Sequence, residues 1–201
     1  MKRFYGLWAV VLAAGFLSAG CVSGPSLWNS GPLSDWTGTW NNFSSYFDNP
    51  GIVRAYEILA EREGKSPDDI KTRYVTGTTY KCDIAAMGIQ GNTVTFYSKP
   101  QSVVGAVSNV EYKGQYVYKG EVSAPNNPDR LWKHFETLEN IPYKHLIMLP
   151  AEADITGETM IHFHFRYGDD LDKLLAADGW FATVIAYDST MDLLVNHMTA
   201  D

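Results

Sequence analysis

The strict alternation of side chains from Met160 to Tyr167 is the feature that most constrains this chain. In a β-strand, successive side chains point to opposite faces of the sheet, so residues two apart share a face. One face carries Met160 and three polar residues, which are His162, His164 and Arg166. The other face carries an apolar set, which consists of Ile161, Phe163, Phe165 and Tyr167. The segment is therefore predicted to be a strand with one face against a core.

Further strands are predicted within the stretch from Tyr80 to Phe165, where the hydrophobic pattern has a period of two residues. The β-rich segments Thr93–Tyr97, Val110–Tyr118 and Tyr143–Leu149 each have strand length. The glycine at position 91, between Gln90 and Asn92, is typical of a tight hairpin turn. Consecutive strands at hairpin spacing favour an antiparallel sheet.

Helical patterns flank the strand region. Segment 51–64 places apolar residues on one stripe, and Ser66 followed by proline and two acids is typical of a helix start. Asp170–Asp178 and a segment capped by Ser189 are predicted to be helices near the C-terminus. The expected fold class is mainly β with helices (α+β), as a barrel or strongly curved sheet with helices at both ends.

The first residues resemble a bacterial lipoprotein leader. Lys2 and Arg3 give a positive start, a short apolar stretch follows, and Cys21 comes directly after small residues. We predict a signal peptide over residues 1–20, a flexible Ser/Gly/Pro-rich tether over 21–32 and one domain over 33–201, with a lipid on the Cys21 thiol. Ser18, where leucine is commoner, leaves ordinary secretory cleavage as the alternative. The protein is accordingly expected outside the cytoplasm and tied to the membrane through the lipid alone.

A lipid on Cys21 would leave Cys82 as the one remaining cysteine of the chain. Soft thiolates bind zinc and copper, so a metal-ligand role has to be considered. A lone cysteine among strand-like residues is more often a small buried apolar side chain. We expect Cys82 to be buried and to bind no metal.

His162 and His164 are the residues that best fit a chemical function. Two same-face histidines in a strand have Cα atoms roughly 6.5 to 7 Å apart, which lets both rings reach one zinc ion at about 2.0–2.1 Å per bond. Tetrahedral zinc needs a third protein ligand. Glu152 or Asp154, just after the preceding strand, and His145, within it, are the candidates, and Glu152 is slightly favoured.

Other functions find less support in the sequence. His134 and His197 look isolated and are expected to be ordinary surface or core histidines. Asp169 and Asp170 precede an apolar helix and are expected to cap it. A net charge of −7 argues against a nucleic-acid partner, which would call for a basic face.

Five segments together resemble the ZinT/YodA family of bacterial zinc-binding proteins. They are Leu33–Trp40, Asp83–Ile89, Thr93–Phe96, His162–Phe165 and Gly168–Asp170. The resemblance covers nearly the whole chain after the leader. It implies a calycin-like (lipocalin-like) antiparallel barrel with N- and C-terminal helices, and a zinc site of three histidines.

Two of the family's three histidines correspond to His162 and His164. An ungapped match puts Ala153 at the position of the third, between Glu152 and Asp154, and the family's His-rich N-terminal tail is absent. The resemblance thus implies either that a carboxylate has replaced the third imidazole or that the loop is rebuilt around His145.

These observations predict a non-enzymatic, membrane-tethered protein that binds, buffers or captures zinc outside the cytoplasm. It could deliver the ion to the binding protein of a zinc ABC transporter, and the same ligands would accept Cd²⁺, Ni²⁺ or Cu²⁺. Affinity is expected to fall as the imidazoles protonate near their usual pKa of about 6.5. The alternatives are a carrier with a wide apolar lumen, and a zinc hydrolase with Glu152 or Asp154 as general base.

Overall fold

The computed structural model describes residues 31–105, 107–152 and 160–200. In them, eight antiparallel strands form a closed barrel in which each strand pairs with the next and the last returns to the first. The strands are β1 (Gly38–Asn42), β2 (Ala86–Gln90), β3 (Thr93–Tyr97), β4 (Val110–Ala124), β5 (Asn127–Thr137), β6 (His145–Met148), β7 (His162–Gly168) and β8 (Ala182–Ala186). The predicted fold class is confirmed.

The α-helices are α1 (Val53–Glu63), α2 (Pro67–Thr76), α3 (Leu171–Ala176) and α4 (Met191–Thr199). Helices α1 and α2 lie between β1 and β2, α3 lies between β7 and β8, and α4 follows β8. The predicted start of α2 is present as a reciprocal capping box between Ser66 and Asp69. Among the helices of the described residues, none combines the length and the apolar character needed to cross a bilayer.

The interior of the barrel is filled by side chains. Its inward-facing residues belong to one core cluster, whose aromatic members include Trp40, Phe96, Tyr116, Phe135, Phe163 and Phe165. Each of these six is at most 5% exposed. A lipocalin-type carrier needs an open lumen to hold its ligand, so this packed interior does not suit the carrier hypothesis. A cavity of about 660 Å³ lies instead against the outward-facing Thr39, Thr95 and Tyr97.

The outer face of the barrel carries a second hydrophobic cluster. Helices α1 and α4 pack there against one another and against Met160 and Ile185, and the buried members of α4 are Leu194, Val195 and Met198. Because β7 alternates, its side chains His162, His164 and Arg166 point outward from the barrel. The histidine pair is therefore outside the barrel wall.

The predicted strands include neither β5 nor β8, and β8 is the strand that closes the barrel. Four of its five residues are buried, so the Ala182–Ala186 sequence lacks the alternation that identifies a strand with one solvent face. Its pairing with both β1 and β7 closes the barrel. The last helix begins one residue later than predicted, because Thr190 and not Ser189 is its N-cap.

The remaining predictions concern the burial of Cys82, the capping of α3 and the N-terminal segment. Cys82 is 8% exposed and unpaired among the described residues, and burial raises the pKa of its thiol to about 12, so it is a buried neutral thiol as expected. Asp170 caps α3 by accepting a hydrogen bond from the Lys173 backbone. The signal peptide and Cys21 lie outside the described residues.

Candidate metal centre

The outward face of β7 holds the predicted histidine pair side by side. The ring centroids of His162 and His164 are 5.1 Å apart. Two imidazoles bound to one tetrahedral zinc at about 2.0–2.1 Å per bond have centroids roughly 5 Å apart. The strand therefore holds these two rings at a separation that one ion could bridge.

A third imidazole comes from the C-terminal helix. The ring centroid of His197, on α4, is 4.5 Å from that of His162. Helix α4 presents this side chain because Leu194, one turn earlier, is fully buried against the outside of the barrel. His197 was expected to be isolated, and that expectation is wrong.

The orientation of His164 is set by Thr183, its cross-strand neighbour on β8. The Thr183 hydroxyl donates its single proton to the Phe181 carbonyl at 2.7 Å, so it can only accept at its 2.8 Å contact with His164 Nδ1. His164 therefore carries its proton on Nδ1. The lone pair of its Nε2 is left for a metal ion, as in many zinc sites.

His162 has a weaker version of the same arrangement. Its Nδ1 lies 3.4 Å from the backbone carbonyl of Met160, which can only accept a hydrogen bond. The proton is thereby favoured on Nδ1, and Nε2 is directed toward the carboxylate of Glu152 at 4.0 Å.

Glu152, the favoured third ligand of the sequence analysis, lies directly opposite His162. The two residues exchange both backbone hydrogen bonds, at 2.7 and 3.0 Å, so their side chains share a face. The Glu152 side chain is 63% exposed and can move. Asp154, the other carboxylate considered, lies outside the described residues.

His145 is in a different place. It pairs with Gly168 at the far end of β7, roughly 20 Å along the strand from His162 at about 3.3 Å per residue. Its Nδ1 is instead 3.0 Å from Nε2 of His134. The structure therefore does not bring His145 to the histidine pair, and it shows that His134 is not isolated.

Burial lowers the pKa of all three clustered imidazoles. Desolvation, followed by the neighbouring histidines, lowers the pKa of His164 to about 4, and desolvation and His162 lower that of His197 to about 4. The pKa of His162 is also lowered by burial, while the Met160 carbonyl and Glu152 act in the opposite direction. Protons would therefore compete with a metal ion at a lower pH than the value of about 6.5 that the sequence predicts.

The cluster is not arranged as a finished coordination shell. Within residues 31–105, 107–152 and 160–200, no group of three or more His, Cys, Asp or Glu side chains could hold a metal ion as it stands. Side chains would have to rotate for their nitrogens to point at one ion. The donor set of three neutral imidazoles and one carboxylate is nevertheless of the type that zinc uses.

Comparisons with known proteins find a zinc-recruitment family and a metal-binding relative. The family model described as ZinT (YodA) periplasmic lipocalin-like zinc-recruitment matches residues 26–201. The probable metal-binding protein YrpE of Bacillus subtilis (strain 168) is 28% identical over 149 residues, which are 71% of this chain and 54% of YrpE. This chain thus spans about half the length of that relative.

Solved structures show the same fold. The Zn(II)-bound ZinT-like domain of Streptococcus pneumoniae AdcA superposes with a TM-score of 0.59 at 20% identity, covering 84% of this chain and 89% of the domain. The structure of Zn(II)-bound AdcA from the same organism gives the same TM-score and identity, and the matched part covers 35% of that chain.

Proposed function

The chain belongs to the ZinT (YodA) family of periplasmic lipocalin-like zinc-recruitment proteins, and from that premise we propose that it captures zinc outside the cytoplasm through His162, His164 and His197. The observation that carries this proposal is the position of His197, whose ring lies 4.5 Å from that of His162. It supplies the third imidazole that the strand alone lacks.

Capture is reversible coordination by neutral ligands. His164 and His162 bind through Nε2, because Thr183 and the Met160 carbonyl hold their Nδ1 protons. Such hydrogen bonds orient the ring and raise the basicity of the binding nitrogen. Burial of the apoprotein rings keeps the lone pairs unprotonated at neutral pH.

Glu152 completes the tetrahedron as an exchangeable fourth ligand. Its carboxylate lies 4.0 Å from His162 Nε2 and adds a negative charge to an otherwise neutral donor set. Because the side chain is 63% exposed, it can swing out and leave the fourth position to water or to an incoming ligand. An open position of this kind is what transfer of the ion to another protein requires.

The site of action that we propose is the outer side of the cytoplasmic membrane. The N-terminal sequence favours cleavage before Cys21 and a lipid on its thiol, and the family description is periplasmic. A ZinT-like domain also occurs within the longer chain of AdcA. We infer that the captured zinc is passed to the binding protein of a zinc uptake transporter.

Zinc calorimetry on the leader-free protein tests the site. Wild type is expected to bind one ion tightly, and the His162→Ala/His164→Ala double variant to lose that binding. If the roughly 10–16 kcal/mol of a four-ligand zinc site is shared equally among its ligands, His197→Ala weakens binding roughly 100- to 1,000-fold. Glu152→Ala is expected to have a smaller effect, because water can replace the carboxylate.

His145→Ala is the matched histidine variant, since His145 lies at the other end of β7. It should leave the tight site intact. Tight binding that is indifferent to His197 and sensitive to His145 would overturn the proposed ligand set. Absence of tight binding in wild type would overturn the function.

A further inference from the structure

A second pair of histidines occupies the outer face of the barrel away from the proposed zinc site. His134, on β5, and His145, on β6, are diagonal neighbours, because His145 lies opposite Glu136 and His134 lies opposite Ile147. Nε2 of His134 is 3.0 Å from Nδ1 of His145, and their ring centroids are 5.2 Å apart. The pair is thus as close as His162 and His164.

We propose that His134 and His145 form a second, weaker binding site for a transition-metal ion that prefers imidazole, such as Zn²⁺ or Cu²⁺. Two nitrogens bound to one tetrahedral ion at about 2.0–2.1 Å lie roughly 3.3 Å apart. The observed 3.0 Å separation needs only a small opening of the two rings to admit an ion. Both rings project from paired strands, so the backbone cost of reaching this geometry is small.

Glu136 is the third ligand of this site. It faces outward directly opposite His145, and it shares a face of β5 with His134, which lies two residues earlier on the strand. Its carboxylate is shared between Lys119 at 3.6 Å and Lys144 at 3.5 Å. These ion pairs are long and their lysines are half-exposed, so an arriving cation can displace them at little cost.

The site is accessible from one side only. His134 is 6% exposed, whereas His145 is partly exposed on the shorter strand β6. An ion would therefore approach from the side of His145, and His134 would bind it from the buried side. Two imidazoles and one carboxylate provide one nitrogen fewer than the proposed zinc site, so the second site should fill later in a titration.

The two sites are separate. Arg166 lies between them on the outer face of β7, with its guanidinium 4.8 Å from the Trp132 ring and a hydrogen bond to the Leu174 carbonyl at 2.7 Å. Because this buried cation and the aromatic ring stand between the two sites, no ligand residue is common to both. The second site therefore does not depend on the first, and either can fail while the other holds.

Zinc titration of the full leader-free protein, followed by long-range ¹H–¹⁵N correlation of the histidine rings, tests the proposal. The chain has five histidines, so each ring nitrogen can be assigned. The first equivalent should shift nitrogens of the proposed zinc site. The second equivalent should shift Nε2 of His134 and Nδ1 of His145.

The variant His145→Gln keeps a side chain that can hydrogen bond to His134 and is partly exposed, so folding should persist. It is expected to weaken the second equivalent at least about 10-fold and to leave the first unchanged. In the His162→Ala/His164→Ala variant, Zn²⁺ should still shift His134 and His145. Copper(II) EPR of that variant should show two coordinated nitrogens, reduced to one by His145→Gln.

Two results would overturn the second site. One is a titration in which zinc in excess of one equivalent leaves the His134 and His145 nitrogens unshifted. The other is a His145→Gln variant that binds a second equivalent as tightly as wild type does. Failure of the proposed zinc site would appear differently, as loss of shifts at His162, His164 and His197 alone.

Discussion

The imidazole of His197 on α4 lies with its ring centroid 4.5 Å from that of His162 on β7, so one residue from the C-terminal helix and one from the barrel wall share a site. The helix is held there by apolar side chains that pack with Ile185 on the outside of the barrel. A metal ion bound by both residues would cross-link the helix to the barrel. The C-terminal helix is therefore part of the proposed zinc site.

This cross-link predicts that zinc protects α4 from hydrogen exchange. Short helices near chain ends open locally at low free-energy cost, and a ligand that binds only the docked state stabilises it by mass action. One equivalent of zinc should slow amide exchange across Met191–Thr199 in wild type. The protection should be absent in His197→Ala. Helix α2 lies outside the site, so zinc should not change its exchange rate in either protein.

Replacement of Thr183 by valine should weaken zinc binding without removing a ligand. The variant keeps the side-chain shape but leaves the Nδ1 proton of His164 without its acceptor, which loosens the ring orientation. Loss of such an outer hydrogen bond typically costs about 10- to 100-fold in metal affinity. Thr39→Val, at another buried outward threonine on β1, is the matched control. Equal affinities of the two variants would contradict the assigned role.

The apoprotein should lose stability as the pH falls from about 6.5 to about 4. The pKa values of His164 and His197 are lowered to about 4 in the folded protein, whereas the unfolded chain protonates both near pH 6.5. The unfolded state therefore binds more protons in this window, and acid favours it. Each histidine contributes a slope on the order of 1 kcal/mol per pH unit near pH 5.

Denaturant unfolding of the apoprotein at a series of pH values measures that slope. Carboxylates also titrate in this range, so the comparison is between wild type and His197→Gln. The variant should show a shallower fall between pH 6 and about pH 4.5. Superimposable profiles would indicate that His197 titrates at its ordinary pKa in the folded protein.

Zinc affinity should persist further into the acid range than exposed histidines would allow. Protons compete for a ligand only when the pH approaches its pKa in the folded apoprotein, which is about 4 for His164 and His197. Calorimetry at pH 7 and at about pH 5.5 should give similar affinities once zinc–buffer binding is subtracted. A steep loss centred near pH 6.5 would show that the rings are solvated.

Cys82 should play no part in metal binding. Its thiol is buried and its pKa is raised to about 12, so it is neutral at physiological pH and is not a ready ligand. Cys82→Ala should leave zinc affinity unchanged and destabilise the fold modestly, by about 1 kcal/mol for the lost side-chain volume. In the native protein, thiol reagents should react with Cys82 only after unfolding.

Much of the fold follows from local pattern in the sequence. The alternation from Met160 to Tyr167 predicted β7, its inward aromatic face and its outward histidines, and the capping residues Ser66 and Asp170 predicted two helix starts. These features depend on backbone geometry over a few residues, which is what a sequence period reports. Strand β8 escaped this reasoning because it is buried on both faces.

The sequence by itself determined that His162 and His164 share a face and can converge on one ion, because a two-residue period leaves no other arrangement in a strand. Only the tertiary structure decided which residues join them. The packing of α4 on the barrel places His197 beside His162. The register of β6 with β7 places His145 opposite Gly168, where it contacts His134 instead. Such contacts between distant segments arise from helix docking and strand register, and neither leaves a local signal in the residues that meet.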